Sequence, residues 1–180
     1  PSLEDSVRQI GAPKAWKAGY DGDGVKVAVL DSGYDPKHPD LAGRVVDAES
    51  FVPGGSVVDG HGHGTHVAST VAGSGKASNG KRKGVAPGAD LLVGKVLADN
   101  GSGLDSWVIA GMEWAAAQGA DVVNMSLGGA FSDGNDPISQ ALNRISEESG
   151  TLFVVAAGNA GVVGDGSVLA PGAADAALTV

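Results

Sequence analysis

Apolar residues gather in short runs at Val25 to Asp31, Val45 to Phe51, Leu91 to Leu97, Asp121 to Leu127, Leu152 to Ala157 and Ala177 to Val180. These runs are rich in Val, Leu and Ala and apolar on both faces, a pattern that predicts buried strands of a parallel sheet. Between them the period becomes helical. One helix is expected from about His63 to Ala72, and another from about Ser106 to Gln118, where Ile109, Met112 or Glu113, and Ala116 recur near one turn. A third carries its own boundaries: Asp136 suits the N-cap, Pro137 the first turn, Ile138, Leu142 and Ile145 share one face, and Gly150 ends it. Shorter helical turns are expected near Glu4 to Ile10 and Pro13 to Ala18. Buried strands alternating with helices predict an α/β fold, a three-layer sandwich with a mostly parallel sheet and helices on both faces.

The chain has 180 residues, enough for one domain with a real core. No linker, charge block or low-complexity tract divides it, so residues 1–180 read as one continuous portion of a domain. Its 30 glycines follow no repeat and mark turns and close backbone approaches. A formal net charge of -9 supplies no basic surface for a nucleic acid or an anionic membrane. With no cysteine, a disulfide framework, a thiolate metal site and a cysteine nucleophile are excluded. No apolar run approaches the roughly 20 residues of a membrane-spanning helix. Pro1 to Ile10 lacks the basic segment and apolar core of a signal peptide.

Open parallel sheets bind ligands outside the carboxyl ends of their strands. Three such ends carry polar residues: Asp31-Ser32-Gly33, Ser126-Leu127-Gly128-Gly129 and Gly158-Asn159. Taken singly, Asp31 could cap a turn and His63 could be a first-turn residue. The run His61-Gly62-His63-Gly64-Thr65-His66 also raises a metal site, because neutral imidazole is a common zinc ligand. It resembles the His-x-His-x-Asp-His run of metallo-β-lactamase-like hydrolases, but Thr65 stands where that pattern has an aspartate, and those enzymes pack largely antiparallel sheets. A dinucleotide site is disfavoured, since Asp31-Ser32-Gly33-Tyr34-Asp35 lacks the Gly-x-Gly-x-x-Gly turn.

Val27-Ala28-Val29-Leu30-Asp31-Ser32-Gly33, His38-Pro39-Asp40-Leu41 and His63-Gly64-Thr65-His66-Val67-Ala68 are followed by Gly84-Val85-Ala86-Pro87, Asn124-Met125-Ser126-Leu127-Gly128-Gly129 and Ala156-Ala157-Gly158-Asn159. In this order the segments resemble the subtilases, subtilisin-like serine proteases, over nearly the whole chain. The resemblance implies that Asp31 is the acid of an Asp-His-Ser triad, His63 its general base, and His66 a structural residue on the same helix. Histidine can take a hydroxyl proton near neutral pH, and the aspartate fixes its tautomer and stabilises the imidazolium. Asn159 matches the family's oxyanion donor. Ser126, Leu127, Gly128 and Gly158 look like its substrate-binding segments, and Asn100-Gly101-Ser102-Gly103 resembles the facing strand, between which an extended peptide would pair by β-augmentation.

One family element is not found: no segment resembles Gly-Thr-Ser-Met-Ala, where the nucleophilic serine is kept. The resemblance therefore implies an N-terminal part of the catalytic domain, with the serine in a missing C-terminal part. This chain alone is expected to be inactive, and a peptide-binding fragment that does not cut remains the alternative. The resemblance also implies a polypeptide substrate, a propeptide, secretion and no cofactor for the chemistry. A structural calcium is possible but unassigned: Asp40 sits where one ligand commonly comes from, while Lys76, Lys81, Arg82 and Lys83 disfavour a cation nearby.

Overall fold

A computed structural model describes residues 3–180. Six strands, β1 (Lys26–Asp31), β2 (Val45–Ser50), β3 (Asp90–Lys95), β4 (Val122–Met125), β5 (Leu152–Val155) and β6 (Ala177–Thr179), form one sheet in the order β2-β3-β1-β4-β5-β6. Every adjacent pair is parallel. The helices are α1 (Leu3–Gln9), α2 (Ala12–Lys17), α3 (His63–Ala72), α4 (Asp105–Ala117) and α5 (Pro137–Ser149).

The pleat of β1 divides the core. Val27 and Val29 pack with Val67, Ala68 and Ala72 of α3, whereas Ala28 and Leu30 pack with Val108 and Met112 of α4 and Leu142 of α5. Side chains two residues apart share a face, so Asp31 follows Val27 and Val29 toward α3. The sheet is thus covered by α3 on one side and by α4 and α5 on the other, which is the expected sandwich.

The connections do not all have one hand. Strand order advances in the same direction from β2 to β3, from β3 to β4 and from β4 to β5. Since α3 crosses on the face opposite to α4 and α5, the β2-α3-β3 crossover has the opposite hand to its neighbours. With α4 and α5 taking the common right-handed route, α3 takes the rare left-handed one.

Several elements follow their local signals. Asp136 caps α5, its side chain accepting from the Ser139 amide at 2.9 Å, and Gly150 ends the helix at φ 75°. Two expectations are corrected. Strand β2 is not buried on both faces: it lies at the edge, and Val46, Asp47 and Glu49 are exposed. On α4 the buried face is Val108, Gly111, Met112 and Ala115, so Met112 rather than Glu113 faces the core, and Ile109 and Ala116 are only partly buried beside it. Gly111 sets this rotation, because a Cβ there would lie 2.5 Å from Val96 Cγ1; Glu113 instead pairs with Arg144 at 2.9 Å.

Candidate active site

The strand order reverses direction at β1, whose carboxyl end lies between β3 and β4. Such a switch point leaves a crevice above the sheet. Asp31, the last residue of β1, is fully buried there. Its carboxylate meets the first residue of α3: His63 Nδ1 lies 2.8 Å from Oδ1 and 2.9 Å from Oδ2. The Ser32 amide donates to Oδ1 at 2.7 Å and fixes the carboxylate. The His63 side chain is 43% exposed, so the ring reaches solvent while its partner does not. Because Asp31 engages Nδ1, the other ring nitrogen is left for a proton in the crevice.

Two glycines allow α3 to begin against the β1 exit. A Cβ on Gly64 would lie 2.2 Å from the Gly33 carbonyl oxygen, and one on Gly33, at φ 99°, would lie 2.3 Å from that of Val57. The first-turn amides of α3, which have no carbonyl partner within the helix, are satisfied from outside it. Ser32 Oγ accepts from the Gly64 amide at 3.0 Å, and Asp59 Oδ2 accepts from the Thr65 amide at 2.8 Å and its hydroxyl at 2.6 Å. Asp59 Oδ1 takes the amides of His61 at 3.0 Å and Gly62 at 2.7 Å and the Ser32 hydroxyl at 2.8 Å. Burial pushes the Asp59 carboxyl upward, but hydrogen bonds from Thr65, Gly62 and Ser32 outweigh it and hold the pKa at about 2.

A second support is Lys95, which ends β3 in register with Asp31 and is 3% exposed. Its ammonium donates to the carbonyls of Ser32 at 2.6 Å and Val58 at 3.2 Å and to Asp99 Oδ1 at 2.7 Å. Asp99 also accepts from the Gly60 amide at 3.2 Å, so Lys95 ties the loop before His63 to the chain entering Asn100. The Lys95 hydrogen bond is the main cause holding the Asp99 carboxyl below its ordinary range. Asp59, Lys95 and Asp99 escape the motif reading. A lysine inside the apolar run Leu91 to Leu97, and an aspartate just before a helix start, were the signals available.

A groove of about 520 Å³ opens from His61 and His63, with Asn100 to Leu104 along it, Ser126 to Gly129 opposite, and the buried Val108 and Ile138 in its lining. Gly101, Ser102, Gly103, Ser126, Leu127 and Gly128 therefore gather on the same crevice as His63. Residues 98–102 form a turn rather than a regular strand, with the Ala98 amide donating to the Ser102 carbonyl at 2.8 Å. Gly158, at φ 102°, delivers an exposed Asn159 beyond the end of β5. Among the described residues the Asn159 side chain accepts and donates no hydrogen bond within the protein.

The three neighbouring histidines do not converge on one point. His63 is engaged by Asp31, the His61 ring stands edge-on to it at 6.3 Å, and His66 is exposed on α3. Among the described residues no three His, Asp or Glu side chains gather as metal ligands. Calcium does not fit Asp40: this carboxylate, 7% exposed, accepts the Ala77 amide at 2.7 Å, and its backbone carbonyl accepts the Ser74 amide at 2.9 Å. The donors around it are amides, and the chain that follows carries Lys76, Lys81, Arg82 and Lys83.

Known proteins share this sequence pattern over most of the chain. The model of the subtilase family matches residues 22–180. The major intracellular serine protease of Bacillus subtilis (strain 168) is 43% identical over 165 residues, covering 88% of this chain and 50% of that protein. Subtilisin E of the same organism is 43% identical over 170 residues, 93% of this chain and 43% of its own length. The minor extracellular protease Vpr is 40% identical over 195 residues, all of this chain and 23% of Vpr. The chain spans about half the length, or less, of these curated relatives. Matched over residues 22–180, a span that contains all six strands of the sheet, the chain belongs to the subtilase family.

Proposed function

We propose that the whole protein is a serine endopeptidase that hydrolyses polypeptides, with the nucleophilic serine supplied by sequence following Val180. The observation that carries this reading is the buried Asp31 carboxylate held against Nδ1 of a half-exposed His63 at the sheet's switch point. In the proposed reaction His63 Nε2 takes the serine proton as the serine oxygen attacks the peptide carbonyl carbon. Asp31 stabilises the imidazolium, which then gives its proton to the leaving amine as the carbon–nitrogen bond breaks. Water, deprotonated by the same imidazole, then attacks the acyl carbon, and as the ester bond to serine breaks the imidazolium returns its proton to the serine oxygen.

Asn159 is the proposed donor to the oxyanion, a role that suits an exposed amide without an internal partner. The substrate backbone is proposed to lie between Gly101-Ser102-Gly103 and Ser126-Leu127-Gly128, beside Gly158. Residues 1–180 form the N-terminal part of the catalytic domain in this reading and are inactive alone, because a base and an oxyanion donor without a nucleophile form no acyl-enzyme. Secretion with a propeptide belongs to the same proposal; the relative named extracellular supports secretion, and the one named intracellular does not.

The test is peptide hydrolysis by the full-length protein, with a serine-directed phosphonate and mass spectrometry to locate the label. Labelling of a serine after Val180, together with loss of turnover in His63→Ala by a factor on the order of 10⁶, is expected; that magnitude comes from a related subtilisin. Peptide binding without cleavage or labelling would leave a binding module in its place.

A further inference from the structure

Beyond the ends of β4 and β5 the chain continues as Ser126–Gly128 and Ala156–Gly158, two neighbouring segments that both carry glycine. A third segment is stitched between them. The Leu169 amide donates to the Ala157 carbonyl at 3.0 Å, the Gly129 amide donates to the Ala170 carbonyl at 2.8 Å, and the Ala170 amide donates to the Ala130 carbonyl at 2.9 Å. These bonds aim the half-buried Leu169 side chain into the space between the two walls. A Cβ on Gly158 would lie 2.5 Å from Leu169 Cγ, and a Cβ on Gly128 would lie 3.1 Å from Leu169 Cδ1. Both glycines thus abut the same isobutyl group. Glycine walls would otherwise leave a slot with room for a ring, and here that room holds a side chain of the protein itself.

The slot lies next to Asn159 in sequence and at the end of the strand that Asn159 follows. A peptide paired along Ser126–Gly128 and presenting its carbonyl to Asn159 directs the side chain on the acyl side of that carbonyl between Gly128 and Gly158. We infer that Leu169 closes this slot, so that the protein cleaves after small residues, glycine or alanine, and rejects large aromatic ones. This rests on the peptidase reading above and adds the substrate class and the residue that sets it. Leu169 acts by occupying volume and takes no part in proton transfer.

The experiment compares peptide anilides that differ only in the acyl-side residue, Gly, Ala, Leu or Phe, using full-length wild type, Leu169→Gly and Leu169→Ala. In wild type, kcat/KM for Ala should exceed that for Phe by about 10- to 200-fold, the discrimination a misfit of methylene size or more gives. Leu169→Gly should raise Phe turnover relative to Ala until the preference disappears or inverts. Leu169→Ala should fall between them and serves where the glycine variant does not fold. A wild type that prefers Phe overturns the inference, as does an unchanged Ala-to-Phe ratio in a variant that melts like wild type. Failure to hydrolyse any peptide sinks the peptidase reading instead, and the slot is then read from binding. Product peptides ending in Ala or Phe are titrated by fluorescence anisotropy: tighter Ala binding that inverts in Leu169→Gly supports the slot, and tighter Phe binding in wild type refutes it.

Discussion

Replacing Asp59 with alanine removes the acceptor for the His61, Gly62 and Thr65 amides and for the Ser32 and Thr65 hydroxyls. The loop amides of His61 and Gly62 are exposed and regain water, so their loss contributes little. The Thr65 amide is a first-turn helix donor, worth about 1 kcal/mol when capped. The two hydroxyls, bonded to a charged oxygen at a half-buried position, add about 1 kcal/mol each. The expected loss is about 3 kcal/mol, or roughly 6 °C in melting temperature for a domain larger than this chain. Because His63 opens the helix that Asp59 anchors, a displacement near 1 Å should lower kcat by about 100-fold while KM changes little. Asp59→Asn keeps one carbonyl acceptor and should recover roughly half of the stability.

The same carboxylate predicts a pH dependence. Its folded pKa of about 2 lies below the ordinary 3.8, so its contribution is complete above about pH 4 and disappears as pH falls through about 2. That difference is worth at most about 2.5 kcal/mol, and water reaching this half-buried carboxylate reduces it to about 1 kcal/mol. Thermal melts by circular dichroism between pH 2 and 7, on phosphonate-blocked full-length protein, read both effects. An alanine variant that melts within about 1 °C of wild type and keeps its kcat would refute the anchoring argument.

Gly158→Ala forces a side chain onto a residue at φ 102° and into Leu169, so it should cost about 2 kcal/mol or more and displace Asn159, seen as lower kcat and a lower melting temperature; wild-type behaviour in both would sink this. Asp40→Ala removes the acceptor of the Ala77 amide and should cost about 1–3 kcal/mol by the same amount in chelator and in calcium. A loss seen only with calcium present would show a cation at Asp40 after all.

Asp31 and His63 were legible because each sits in a short local motif at the end of a strand or the start of a helix, and α5 was legible because Asp136, Pro137 and Gly150 mark its ends. The supports around them were not. Lys95 meets Ser32 and Val58 only after β3 has returned beside β1, and Asp59 reaches Ser32 only once α3 is docked. Such contacts depend on the path of the chain rather than on a local pattern. The edge position of β2 was available in Asp47 and Glu49, which alternate with Val46 and Ala48, but the adjacent valines masked it. The sequence leaves the rotation of α4 open between Met112 and Glu113, and the close approach of Gly111 to Val96 settles it for Met112.

The uncommon hand of the β2-α3-β3 crossover decides whether Asp31 and His63 share a side of the sheet. Asp31 is committed to the Val27 and Val29 side by the alternation of β1, and His63 travels with α3. A chain that folded with the common hand there would form the same six strands in the same order, yet it would set the imidazole and the carboxylate on opposite sides of a continuous sheet. Helix content and circular dichroism would scarcely register the error. Such a topoisomer would resemble the native protein in most physical assays and be inert in the proposed reaction, because no side-chain motion carries a proton through a hydrogen-bonded sheet.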